Sequence, residues 1–293
     1  MKNLLQKSGK YFDKLFSTEN IKKIELIILR VAVFTFLLHL IIIYLGNNFI
    51  YFKNLQHSYL KAIYTPFSFI LYYEVFLLVI IIPKSISEFI GKQFEVITLI
   101  TLRSFFHDIA DLELKNFISI SNSEFLNLLY DLSASLIMLG FTIFYYKIYK
   151  NTRKSEIINE LNDFINIKKI VSLCMIIILL LLSTNSFIKW SIDMLEALKL
   201  RQNYPDPNTV FYSDFFSIMI FVDVFLLLIS FTYLFSFYTI FRNASFIITT
   251  ILIRLSLTIE KPINYLIIII GFLFSVISFY LYSLRNSDKQ ALD

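Results

Sequence analysis

Five ionisable residues lie inside apolar runs where a charge is costly: Glu74, Arg103, Asp131, Asp223 and Arg254. An ion at bilayer depth costs a few kcal/mol even on permissive insertion scales, so each needs a partner and is a candidate for moving or sensing ions or protons. The residue types suit that chemistry. A carboxylate can hold a proton or a cation, and arginine stays charged while offering a planar fork to a carboxylate. Counted from the expected helix ends at 1.5 Å per residue, Glu74 and Arg103 each lie about 15 Å deep, and the same count sets Asp223 against Arg254. Two midplane pairs are therefore expected, Glu74 with Arg103 and Asp223 with Arg254. They either carry ions or only neutralise each other and fix helix register. Asp131 has no acidic counterpart and is either a third member of the first pair's network or a separate functional acid. Arg30 is shallow enough to snorkel. His39 reads as a satisfied histidine near the outer third of its span.

Other chemistry finds no support. The single cysteine, Cys174, excludes a disulfide framework or a CxxC pair, and His39, His57 and His107 are too scattered for a zinc cluster. Tyr130-Asp131 is half of an intramembrane aspartyl protease site, but no GxGD follows, and GxSxG, HExxH and Walker loops are absent. No catalytic residue, metal or cofactor is expected. The dispersed lysines suit an anionic leaflet better than a nucleic acid.

These residues must be positioned by membrane helices. Of 293 residues 57% are hydrophobic and 17% charged, against about 25% charged in soluble domains, so a soluble enzyme is excluded. A crossing helix needs roughly 20 apolar residues. Six segments reach that length: 24–45, 64–82, 125–149, 170–190, 215–241 and 263–284. Two shorter ones, 94–106 and 244–259, each carry an arginine and are read as spans because of an internal repeat.

FSFILYYEVFLL at 67–78 lies over FSIMIFVDVFLL at 216–227, an offset of 149. With a two-residue insertion the offset becomes 151, and VITLITLR at 96–103 lies over IITTILIR at 247–254. The register matches Glu74 to Asp223, Thr98 to Thr249 and Arg103 to Arg254. An amphipathic stretch precedes each copy, with Leu4, Leu5, Tyr11, Phe12, Leu15 and Phe16 in the first and Ile157, Ile158, Leu161, Phe164 and Ile165 in the second. The expected architecture is an all-α membrane protein of eight spans, in two parallel-oriented four-helix repeats at residues 1–150 and 151–293. An interfacial helix leads each repeat.

The cations orient it. With both termini inside, 17 of the 27 Lys and Arg fall on the inner side, seven outside, and Arg30, Arg103 and Arg254 within spans. No cleavable signal is expected before residue 24. The segment 191–213 reads as a short surface helix followed by the turn Pro205-Asp206-Pro207-Asn208, and 108–124 as an acidic outer loop. Tyr72, Tyr73, Phe76, Phe221 and Phe225 are expected to pack or anchor at interfaces instead of stacking on a cation. There is no GxxxG, so helix contacts must use large side chains and polar pairs.

The repeated unit resembles the phosphate-starvation-inducible protein E (PsiE) family of four-span membrane proteins. The likeness rests on an aromatic helix with a central acid (Tyr72-Tyr73-Glu74-Val75-Phe76), an arginine about thirty residues on, and then an acid: Asp108 after Arg103, Glu260 after Arg254. It implies a bacterial inner-membrane protein linked to phosphate limitation or stress, with no established activity to carry over; the tandem arrangement departs from the family pattern. The functional expectation is a non-enzymatic protein for ion or proton permeation or membrane-stress response. The alternative is an accessory or scaffold subunit. The expected partners are the lipid bilayer and a second copy or another membrane protein.

Overall fold

A computed structural model of the chain describes residues 2–48, 59, 61–111, 122–156, 162–200, 209–232, 236–256 and 258–290. Among these residues the structure is all-helical: α1 (Lys2–Leu15), α2 (Thr18–Asn48), α3 (Lys61–Ile80), α4 (Ile86–Asp111), α5 (Asn122–Glu156), α6 (Asn162–Leu200), α7 (Thr209–Phe231), α8 (Phe237–Ser256) and α9 (Ile263–Gln290). The stretches Thr18–Leu45, Phe125–Lys150, Phe164–Ser186 and Ile263–Arg285 are long and apolar enough to cross a bilayer. Their outward faces carry Phe34, Leu136, Leu181 and Leu281, each at least 60% exposed. Water would not tolerate that surface, so the four apolar helices point to a membrane protein.

Local chemistry sets the helix ends. Asn20 Nδ2 donates to the carbonyls of Lys14 and Leu15 at 3.0 and 3.1 Å, closing α1, while Ser17 Oγ accepts from the Asn20 amide and opens α2. Ser85-x-x-Glu88 starts α4 as a capping box, with Ser85 Oγ accepting the Glu88 amide at 3.1 Å. That cap lies two turns ahead of the expected start at residue 94, so Lys92 is inside a helix instead of in a loop.

Other boundaries also move. No separate surface helix begins at 191, because α6 runs unbroken to Leu200. Helix α8 begins at Phe237, inside the run 215–241 expected to be one span. Helix α4 extends to Asp111, taking in the first four residues of the expected outer loop. The start of the second amphipathic stretch (157–161), most of the outer loop (112–121) and the Pro205–Asn208 turn lie outside the described residues.

Consecutive helices α2 to α5 pack as neighbours, as do α6 to α9; between the two sets α5 meets α9, α4 meets α8 and α3 meets α6, while α1 lies on α6. The centre is aromatic. Phe94 of α4 stacks on Phe272 of α9 at 3.8 Å between centroids and tilts against Tyr145 of α5 at 5.1 Å, which in turn touches Phe279 of α9 at 5.0 Å. Such pairs contribute about 0.5–1.5 kcal/mol each beyond area burial. Gly91 lets α5 approach, since a Cβ there would meet the Tyr146 ring at 3.0 Å. Hydroxyls complete the contacts without a small-residue motif: Ser245 meets Ser278 at 2.5 Å, and Thr249 donates to the Gly271 carbonyl at 3.1 Å.

Candidate functional site

Of the five expected charges, Asp223 and Arg254 are paired with each other, while Glu74, Asp131 and Arg103 lie elsewhere. Asp223 of α7 and Arg254 of α8 come together, with Arg254 Nη2 3.5 Å from Asp223 Oδ2 and both side chains buried. The arginine fork is divided, because its Nη1 donates to the Phe216 carbonyl and the guanidinium lies over the Phe216 ring at 5.2 Å. Asp223 Oδ2 also accepts from Gln93 Nε2 of α4 at 3.4 Å, and Gln93 Oε1 accepts from Thr250 of α8 at 2.9 Å. A charged pair at its best sits at about 2.7–2.9 Å and is often bidentate; this one is longer and single. Asp223 Oδ1 has no hydrogen-bond partner among the described residues.

Glu74 does not follow the same course. Its ion-pair partner is Lys92 of α4, not Arg103. Lys92 also meets Glu95 at 2.6 Å, making a half-buried acid–lysine–acid group. The expected Glu74–Arg103 pair is thereby corrected: with α4 capped at Ser85, Lys92 already occupies the level of Glu74. Arg103 lies roughly three helical turns further along α4, half-buried.

Asp131 belongs to neither pair. It is fully buried on α5, where Lys261 Nζ lies 2.8 Å from its Oδ1 and the Tyr265 hydroxyl donates to the same oxygen. Lys261 reaches Asp108 as well, at 2.8 Å, tying the ends of α4 and α5 to the start of α9. Burial pushes the Asp108 carboxyl up, but hydrogen bonds from His107 and Lys261 and the charge on Lys261 outweigh it and hold Asp108 below the usual carboxylate range. His39 hydrogen-bonds Thr65 at 2.6 Å. Phe221 and Phe225 are 75% and 50% exposed and enclose nothing.

Beside Asp223 lies a cavity of about 30 Å³, between the α3–α4 turn, the start of α6, and α7 and α8. Asp223, Thr250, Asn243 and Lys168 supply its polar lining. The lysine, counted among the cations of the inner side, is buried: it is 1% exposed, donates to the Lys84 carbonyl at 2.7 Å and sits 4.7 Å over the Phe164 ring. Arg242, expected on the same exposed surface, is buried as well, 4.3 Å over Tyr282 and donating to Asn243 Oδ1 at 2.9 Å. Asn243 Nδ2 has no hydrogen-bond partner among the described residues.

Sequence reasoning missed Lys92, Gln93, Lys168, Asn243, Thr250, Lys261 and Tyr265. One signal was present: extended backward, the register of 151 matches Lys92 to Asn243, a lysine to a neutral residue. No local pattern announces Lys261, which is 130 residues from Asp131. Among the described residues no group of His, Cys, Asp and Glu could hold a metal. Comparison with protein families, curated proteins and solved structures gives no match.

Proposed function

We propose that the chain is a non-enzymatic protein of the bacterial inner membrane, with cytoplasmic termini and eight spans in two PsiE-like repeats, that lets ions or protons permeate through the buried cluster around Asp223. The observation that carries this reading is Asp223 itself, a carboxylate buried where the two helix sets meet, long-paired to Arg254, lining a cavity and with one oxygen unpartnered among the described residues. Support for the repeats comes from the register and from the meeting of the helices it matches, α4 with α8 and α5 with α9. The PsiE-like assignment, and with it a link to phosphate limitation or stress, rests on the acid and arginine spacing. The inward orientation rests on the distribution of lysine and arginine.

Purified protein in liposomes should dissipate an imposed proton or cation gradient, and Asp223→Asn should abolish the flux. No flux above empty liposomes would overturn permeation. The scaffold reading is favoured by one observation: α2 leaves most of its apolar surface outward, with Ile27, Phe34 and Ile41 near 60% exposed. A stoichiometric partner co-purifying from native membranes and contacting α2 would support it.

A further inference from the structure

The cavity beside Asp223 coincides with a difference between the two matched sequences. In the first, Glu74 and Lys92 meet as an ion pair. In the second, the matched residues are Asp223 and Asn243, each shorter than its counterpart, and the space between the elements that carry them is a cavity of about 30 Å³. That volume accommodates about two water molecules. Two of its lining residues each carry a buried polar atom without a hydrogen-bond partner among the described residues, the acceptor Asp223 Oδ1 and the donor Asn243 Nδ2. Buried polar groups of this kind are normally satisfied by ordered water, which serves an acceptor and a donor at once.

The geometry points to a hydrated proton-access site for Asp223, closed to metal cations and entered from the end of the bundle that carries the α3–α4 turn and the start of α6. Exclusion of metals follows from the donor set. Sodium, potassium or magnesium would need several oxygens in its shell. Here the polar lining is one carboxylate, one hydroxyl, one amide and one ammonium, from Asp223, Thr250, Asn243 and Lys168, among largely apolar walls. Lys168 is held on that wall by the Lys84 carbonyl and the Phe164 ring. A proton needs no coordination shell. Hydronium in the cavity passes a proton to Oδ1 and becomes neutral water; the reverse step restores the carboxylate beside Arg254. The inference rests on the permeation reading for its substrate class, though the hydration of the site stands without it.

Radiolytic hydroxyl-radical labelling of the full chain in lipid nanodiscs tests the site directly. Phe94, Phe246 and Phe272 are all 0% exposed, and of the three only Phe246 lines the cavity. Phe246 should be oxidised several-fold more than the other two, and Asn243→Leu should reduce that labelling. Equal oxidation of the three in the unmutated protein overturns the hydrated site, whatever the variant does. In liposomes, flux of protons without sodium or potassium supports the selectivity, and equal passage of metal cations overturns it. Labelling without any flux leaves the hydrated site standing and removes the permeation reading instead.

Discussion

Glu74 and Asp223 occupy matching places in the two halves of the sequence, yet their charges are answered differently. Glu74 meets a lysine one helix away in a half-buried group that includes a second acid. Asp223 has no lysine at the corresponding position; Asn243 stands there, and the acid turns to the deeper Arg254 and to Gln93 of the other half. The difference teaches that the acid and the arginine alone do not determine the pairing. A third position, occupied by Lys92 or Asn243, decides whether the carboxylate is closed off by a near ammonium or left with a free oxygen beside a cavity.

The largest effect should come from removing Arg254. Arg254→Leu leaves Asp223 as an unpaired buried charge, and breaking one side of a buried pair costs about 3–5 kcal/mol. Thermal unfolding followed by size-exclusion recovery should show a marked loss. Arg103→Leu, at the matched position, should cost clearly less because Glu74 keeps Lys92. Equal losses in the two variants would break the contrast.

Next in size is exchange of the deciding residue. Lys92→Asn deprives Glu74 and Glu95 of their shared cation and should destabilise by about 1–3 kcal/mol, in the range for losing a charged hydrogen bond. Exchanging charges with Glu74→Lys and Lys92→Glu should recover part of that loss. In the other half, Asn243→Lys should place an ammonium beside Asp223, reduce Phe246 labelling and suppress proton flux. Unchanged labelling and flux in a folded Asn243→Lys protein would show that the position does not govern the cavity.

How much of this the sequence discloses depends on the range of each interaction. Helical class and the apolar runs are legible because lipid-facing helices carry their solvent in every residue. The Asp223 and Arg254 contact is legible from the repeat, since both residues lie on consecutive helices at matched spacing. Lys92 was misplaced because hydropathy starts a helix at its first apolar run, whereas the backbone starts α4 at the Ser85 cap. Polar residues in the first two turns of α4 therefore read as loop. Lys168 and Arg242 read as surface cations because local composition cannot say which neighbour covers a lysine or arginine near a helix end. Asp131 with Lys261 joins residues from opposite halves of the chain, and no spacing rule reaches across that separation.

That last contact sharpens the comparison from outside, because it ties the halves together without belonging to either matched pair. Lys261→Met should leave Asp131 buried with only the Tyr265 hydroxyl and loosen α9 from α4 and α5, an effect expected near 1–3 kcal/mol.

The smallest effect is one of pH at Asp108. Its carboxyl is held below the ordinary value of about 3.9. A carboxylate depressed in the folded state contributes stability that is fully present above the unfolded value and is lost as pH falls through the folded one. The Asp108–Lys261 contact should therefore be indifferent to pH between about 5 and 7 and weaken only below about 4. Asp108→Asn should remove that acid-side step while leaving the neutral-pH unfolding temperature only slightly lower. Hydrogen exchange at the α8–α9 connection, followed from pH 7 downward, reads the step directly. Loss of protection already at pH 5 to 6 would show that a group other than Asp108 controls the connection.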